Sequence, residues 1–287
     1  MGLLDGKVAA ITGAGGGLGR AYALLFAQEG ASIVVNDYGG HPDGTGAGSS
    51  PLAERVVDEI KSAGGRAVAD GSDVSRSASG GQILQTALDA FGRIDILVNN
   101  AGILRDKSLL KLEEADWDAV NAVNLKGTFF VTKPIFRWMK ENGQGGVIVN
   151  TSSPSGLLGA FGQANYAAAK AGIFGFSNTL AIEGAKAGIR VWTLAPSATT
   201  RLTESLLPPE LAAKWSPDRV APTVLYMVSA LSGDRTGKVV FANGTKVVEA
   251  KLVAAEGLML GDEIDAHGIA AAADRIFHPE ATEKWFE

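Results

Sequence analysis

Thr12-Gly13-Ala14-Gly15-Gly16-Gly17-Leu18-Gly19 is the stretch that decides how the rest of the chain is read. It follows the apolar run Lys7 to Thr12, which has the length and β-branched content of a short strand. It precedes an amphipathic segment in which Leu18, Tyr22, Leu25 and Phe26 form an apolar stripe, ending at a glycine stop, Glu29-Gly30. Strand, glycine-rich turn and helix in that order open a βαβ unit. Glycine is required where the backbone turns sharply and lets a pyrophosphate come close. A helix opening at Leu18 aims free N–H groups and the positive end of its dipole at that phosphate. Gly13, Gly17, Leu18 and Gly19 are therefore candidate phosphate-binding residues.

The same alternation continues along the chain. Strand-like runs at Lys7 to Thr12, Ala31 to Asn36, Arg66 to Ala69, Asp95 to Asn99, Val147 to Thr151, Ile189 to Leu194 and Val239 to Ala242 are separated by helical patterns. Leu52, Val56 and Ile60 mark one helix, and longer helical stretches cover about Glu113 to Asn142 and Gln163 to Lys186. The expected fold is α/β, a Rossmann-like doubly wound parallel sheet of about seven strands. A single catalytic domain spans residues 1–250, and residues 251–287, alanine-rich with Gly257, Gly261 and Gly268, read as a helical or subunit-arm extension. The two long helices carry more apolar surface than one sheet face needs, which points to packing against another subunit.

Composition narrows the function classes. With 287 residues and 46% hydrophobic content the chain can bury a full core. A net charge of −5 offers no basic field for nucleic acid, and no apolar run approaches the length of a spanning helix. The absence of cysteine removes disulfides, thiolate nucleophiles and cysteine-ligated zinc. His41, His267 and His278 do not stand at metal-binding spacing, so no metal site is expected. Without a signal-like N-terminus, a cytoplasmic protein is the default expectation.

Three further features carry chemistry. Asp37 ends the second strand roughly 20 residues beyond the glycine turn, where a carboxylate would accept hydrogen bonds from adenosine ribose hydroxyls. Its charge would also repel a 2′-phosphate, so NAD is preferred to NADP, and no arginine in Tyr38 to Pro51 offsets it. That Gly- and Ser-rich stretch reads as a flexible surface loop or as a segment beside the adenosine end of a cofactor. Asp73-Val74, after the third strand, could hold the adenine ring and its amino group. Finally, Tyr166 and Lys170 stand four apart on one helix face, and a neighbouring ammonium favours a phenolate, so the pair can form a base.

To these are added Asn99-Asn100-Ala101-Gly102 at the end of the fourth strand, Val123-Asn124-Leu125-Lys126-Gly127 in the following helix, and Thr151-Ser152-Ser153 near the end of the fifth strand. In this order, from about Lys7 to Thr203, the chain resembles the short-chain dehydrogenase/reductase family. The resemblance implies a general acid/base at Tyr166 and, at Lys170, a cation that binds nicotinamide ribose and lowers the tyrosine pKa. It implies a substrate-oxygen ligand at Ser153, with Ser152 as the alternative, and at Asn124 an organiser of a helix bend and of a water path to Lys170. Asn99, Ala101 and Gly102 would border the cofactor, as would Pro196 in Leu194-Ala195-Pro196-Ser197-Ala198-Thr199. Ser197 stands where the family usually has glycine, which leaves Thr199, Thr200 and Thr203 as alternative carboxamide contacts.

Gly39-Gly40 after Val35-Asn36-Asp37, Ile103-Leu104-Arg105-Asp106 after Gly102, and Phe161-Gly162-Gln163-Ala164-Asn165-Tyr166 resemble one branch in particular. That branch is the (R)-3-hydroxyacyl-CoA dehydrogenase part of peroxisomal multifunctional enzyme type 2 and its bacterial relatives. It implies NAD-dependent oxidation of an acyl-CoA thioester, fatty or steroid, in lipid metabolism, by a homodimer or homotetramer. A free secondary alcohol or steroid as substrate, an NADPH-dependent 3-oxoacyl reductase, and a non-catalytic nucleotide sensor are the alternatives.

Overall fold

In a computed structural model, residues 2–46, 48, 51–200, 214–254 and 265–277 are described. The chain divides into two units, Met1–Glu249 and Ala250–Glu287. The first is built on β1 (Val8–Thr12), β2 (Ser32–Asn36), β3 (Arg66–Asp70), β4 (Ile96–Asn99), β5 (Gly146–Thr151), β6 (Ile189–Pro196), β7 (Lys238–Ala242) and β8 (Val247–Ala250). They form one sheet in the order β3-β2-β1-β4-β5-β6-β7-β8. The first seven pair in parallel, with Thr12 beside Asn36 and Ile11 beside Val98.

Side-chain alternation assigns the helices to two layers, because neighbouring residues of a strand face opposite ways. Ile11, Ile33, Val35 and Trp192 pack against Tyr22 and Phe26 of α1 (Gly17–Gln28), Val56 and Ile60 of α2 (Pro51–Ser62), and Val224 and Met227 of the helix Pro217–Val228. Ala10, Val34, Leu97 and Ile148 face the other way. Their partners are Ile83 of α3 (Ser79–Phe91), Val131, Ile135 and Met139 of the helix Gly127–Glu141, and Leu180 of the helix Ala164–Gly184. Numbered in order, the helices after α3 are α4 (Glu114–Asn121), α5 (Gly127–Glu141), α6 (Pro154–Leu158), α7 (Ala164–Gly184) and α8 (Pro217–Val228). Burial on both faces is why the strands read as near-continuous apolar runs.

Two details differ from the sequence expectation. An eighth strand extends the sheet: β8 follows β7 after a turn too short for a crossover, so the pair is antiparallel. Asn243 closes that turn, its Oδ1 accepting from the N–H groups of Thr245 and Lys246 at 2.8 Å each. With four residues and only two valines, β8 is too short and too exposed to carry a period. The stretch Glu113 to Asn142 is also not one regular helix, because a π-turn at Ala122–Lys126 separates α4 from α5. In the second unit, α9 (Ala266–Ala271) is capped by Asp265, whose Oδ1 accepts from Gly268 N at 2.7 Å, and α10 (Ala273–Ile276) follows.

The chain rises through β1, β2 and β3 on one side of the sheet and then crosses to β4 on the other side of β1. At that switch point loops leave in opposite directions from neighbouring carboxyl ends, and a cleft opens between them. No helix among the described residues is long and apolar enough to cross a membrane.

Candidate active site

The cleft begins at the glycine turn. Thr12 Oγ1 accepts from the N–H groups of Asn100 and Ala101, both at 3.0 Å, and Asn100 Nδ2 donates to the carbonyls of Thr12 and Gly13. These bonds stitch the ends of β1 and β4 together. Gly13 turns with φ +63°, and a Cβ there would lie 2.9 Å from Ala101 Cα. A Cβ on Gly19 would stand 2.3 Å from the Gly13 carbonyl, so only glycine lets α1 sit directly on the turn. Gly17 opens α1 with φ +51°; its N-cap, Gly16, has no capping side chain, and the first turn holds no acidic residue. The first-turn N–H groups and the positive helix end are thereby left to a phosphate.

Asp37 is held at the end of β2 by two main-chain donors, Gly15 N to Oδ2 and Gly39 N to Oδ1, each at 2.8 Å. Every carboxylate oxygen keeps a further lone pair for a ligand hydroxyl. Asp73 accepts from Ser75 N and Oγ at 2.9 and 2.7 Å and pairs with Arg76, and Val74 lines the cleft beside it. The described part of the Gly- and Ser-rich stretch does not hang free. Pro42 O accepts from Leu104 N at 3.1 Å, Asp43 O accepts from Arg105 Nε at 2.7 Å, and Tyr38 to Pro42 line the cleft.

At the other end stand Ser153, Tyr166 and Lys170. Ser152 and Ser153, the two alternatives in the sequence, face different ways: Ser152 Oγ donates to the Lys170 carbonyl at 2.8 Å, whereas Ser153 lines the cleft beside Tyr166. Lys170 is buried, donates from Nζ to the Thr151 carbonyl at 2.7 Å, and lies 5.5 Å from the Tyr166 ring centroid. Burial pushes its ammonium down to about 7. Burial likewise pushes the Tyr166 hydroxyl up to about 12, opposed by the Ser153 hydrogen bond and reinforced by the Asp106 charge. The direction for Tyr166 is opposite to the one implied by the resemblance. Desolvation dominates, and the ammonium is drawn to Thr151 and lies beside the ring.

Asn124 sits fully buried in the π-turn. Its amide is spent on one residue: Oδ1 accepts from Ile103 N at 2.8 Å and Nδ2 donates to Ile103 O at 3.1 Å. Above Gly102 the amide and the lysine converge, since a Cβ on Gly102 would stand 3.0 Å from Asn124 Oδ1 and 3.7 Å from Lys170 Nζ.

Most candidate residues line one cleft of about 500 Å³, within the range of cofactor sites: Gly13, Gly17, Leu18, Asp37, Asp73, Val74, Ala101, Gly102, Ser153, Tyr166, Lys170 and Pro196. Gly19, Asn99 and Asn124 lie behind its wall. Asn99 donates to Thr132 Oγ1 and Asn150 Oδ1, on the face of β4 that also carries Leu97. Period-two alternation from Leu97 contains that orientation. Thr199 donates its N–H to Trp215 O at 2.7 Å, Thr200 lines the cleft, and Thr203 lies outside the described residues. Asn100, Gln163 and Trp215 also line the cleft and were not singled out from the sequence. An amide directly after a strand end was a usable signal for Asn100, whereas Trp215 is brought in only by tertiary contact. Among the described residues no cluster of His, Asp and Glu could hold a metal.

A bare helix N-terminus over a glycine cradle, a carboxylate on free lone pairs and a Ser–Tyr pair in one cleft fit a dinucleotide and the proton chemistry of an alcohol. The class so defined is a nicotinamide-dependent oxidoreductase. The chain belongs to the short-chain dehydrogenase family, whose model matches residues 7–209. It is 48% identical over 261 residues to peroxisomal multifunctional enzyme type 2 of Drosophila melanogaster, across 91% of this chain but 43% of that protein. The chain thus spans less than half the length of that relative. A crystal structure of a short chain dehydrogenase from Mycobacterium avium superposes with a TM-score of 0.84 at 42% identity, covering 97% of this chain and 98% of that one. A 7α-hydroxysteroid dehydrogenase complexed with NADH and a 7-oxo bile acid conjugate superposes at 0.74 with 30% identity, over 84% of this chain and 94% of the other.

Proposed function

We propose that the chain interconverts a secondary alcohol and its ketone with NAD, and that the alcohol is a 3-hydroxyacyl-CoA, fatty or steroid. One observation carries the chemistry: Ser153 and Tyr166 stand side by side at one end of a cleft whose other end is fixed by Asp37. NAD, when bound, would supply the hydride acceptor for the alcohol carbon. In the reducing direction the Tyr166 hydroxyl gives its proton to the ketone oxygen, in the oxidising direction its phenolate takes the proton from the alcohol, and Ser153 donates to the oxygen on which charge develops. Lys170, held to Thr151, supplies a donor beside the tyrosine, and Gly13, Gly17 and Leu18 seat the pyrophosphate. The acyl-CoA assignment rests on the resemblance in Ile103-Leu104-Arg105-Asp106 and Phe161-Gly162-Gln163-Ala164-Asn165-Tyr166 and on similarity to the Drosophila protein.

NAD with a panel of 3-hydroxyacyl-CoAs, free secondary alcohols and steroids should give reduced-nicotinamide absorbance, strongest with the thioesters; a preference for the free alcohols would reassign the substrate. With NADP the wild type should be much poorer. Asp37→Ser should narrow that gap by about tenfold or more, because an unpaired carboxylate next to a 2′-phosphate costs roughly one to several kcal/mol. A wild type that favours NADP would refute the role of Asp37.

We also infer that copies of the chain pair through α5 and α7. Phe129 and Ile182 on these helices are 41% and 79% exposed, more apolar surface than a monomer's helix needs to show. Light scattering should return a dimer or tetramer, and a monomer would remove the inference.

A further inference from the structure

Behind the Ser153–Tyr166 pair runs a chain of hydrogen bonds that ends on a carboxylate. Ser155 N donates to Ser153 Oγ at 3.2 Å, Ser155 Oγ donates to Gln163 Oε1 at 2.7 Å, and Gln163 Nε2 donates to Asp106 Oδ2 at 2.8 Å. The first turn of α6 and the entry to α7, eight residues apart, supply it together with the distant loop after β4. Asp106 is kept in place by its neighbours, since Lys107 N donates to Gly162 O at 2.9 Å and Arg105 O accepts from Asn165 Nδ2 at 3.1 Å. Ser155 and Gln163 both line the cleft.

The polarity of this chain is set at its end. An ionised carboxylate only accepts, so Asp106 turns the Nε2 side of Gln163 toward itself and the Oε1 side toward Ser155. Ser155 must then spend its hydroxyl proton on Gln163. Its main-chain N–H caps α6 by donating to Ser153 Oγ whichever way the hydroxyl points, and with the hydroxyl proton spent on Gln163 the Ser155 side chain has none to offer Ser153. A serine hydroxyl has one donor and two acceptor sites and rotates freely unless they are engaged. With one acceptor site filled by the N-cap bond and no rival donor from the Ser155 hydroxyl, Ser153 keeps its single proton for Tyr166 or for the reacting oxygen.

We propose that Asp106 is a positioning residue for the alcohol–ketone reaction, acting through Gln163 and Ser155 to orient the Ser153 hydroxyl. Without an acceptor at position 106 the Gln163 amide is free to flip, and the Ser155 hydroxyl is released to compete for Ser153 or Tyr166. The proposal rests on the function assigned above to Ser153 and Tyr166. Loss of one ordering hydrogen bond at a partly exposed site is worth about a fivefold effect.

The test compares Asp106→Leu, Gln163→Met, the double variant and Asp106→Asn, each assayed with the best alcohol of the panel and with NADH-binding fluorescence. Each of the first two should lower kcat about fivefold with KM for NAD unchanged, and the double variant should fall no further, because both remove the same chain. Asp106→Asn retains an acceptor oxygen for Gln163 and should recover about half or more of the wild-type kcat. Wild-type kcat in Asp106→Leu, or losses that multiply in the double variant, would overturn the relay while leaving the assigned function standing. A wild type that binds NADH but turns over no alcohol would overturn both.

Discussion

Tyr166→Phe is expected to lower turnover of the alcohol by about 10²–10⁴-fold while NADH binding stays within about twofold of wild type. Phenylalanine fills the same volume and removes only the hydroxyl that pairs with Ser153 and faces the cleft. The surrounding helix α7 loses no packing, so the melting temperature should move little, as expected for one hydrogen bond of about 1 kcal/mol. Steady-state kinetics with reduced-nicotinamide absorbance, alongside a cofactor titration, separates the two effects. Full activity in the Phe variant would mean that the proton leaves by another group.

Asn124→Ala should behave differently, losing stability together with activity. The wild-type amide is fully buried and both of its ends are bonded to the Ile103 main chain. Truncation leaves a buried N–H and a buried carbonyl without partners, at about 1–3 kcal/mol each, so a loss of roughly 2–6 kcal/mol is expected. Ile103 and Leu104 line the cleft, and Leu104 also holds Pro42, so slackening that loop should weaken cofactor binding as well. Chemical denaturation of the apoprotein reads the first effect. An apoprotein as stable as wild type but inactive would transfer Asn124 from a supporting role to a directly chemical one.

These two substitutions mark how far the residues could be read in order. The glycine turn was legible because positive φ at Gly13 and Gly17, and the direct seat of α1 on Gly13 at Gly19, are local demands that no other residue meets. The βαβ rhythm was legible because strands buried on both faces are continuous apolar runs. β8 was not, since four half-exposed residues carry no period, and neither was the π-turn, which is a change of hydrogen-bonding partner within an unbroken helical pattern. The upward direction at Tyr166 has a related reason. Four-residue spacing places Lys170 beside the ring, but burial and the Thr151 carbonyl, which spacing does not contain, decide where the ammonium goes.

By itself, then, the amino-acid sequence determined the doubly wound sheet, the phosphate turn and the candidates Asp37, Tyr166 and Lys170. Each depends on backbone conformation, periodicity or a short spacing, and these are properties of neighbours in the chain. Only the tertiary structure decided that Ser153 and not Ser152 stands beside Tyr166, that Asn100 bonds the glycine turn, and that Asp106 bonds Gln163. Such choices turn on where a hydroxyl or an amide finds its partner, and the partners come from segments up to 88 residues away.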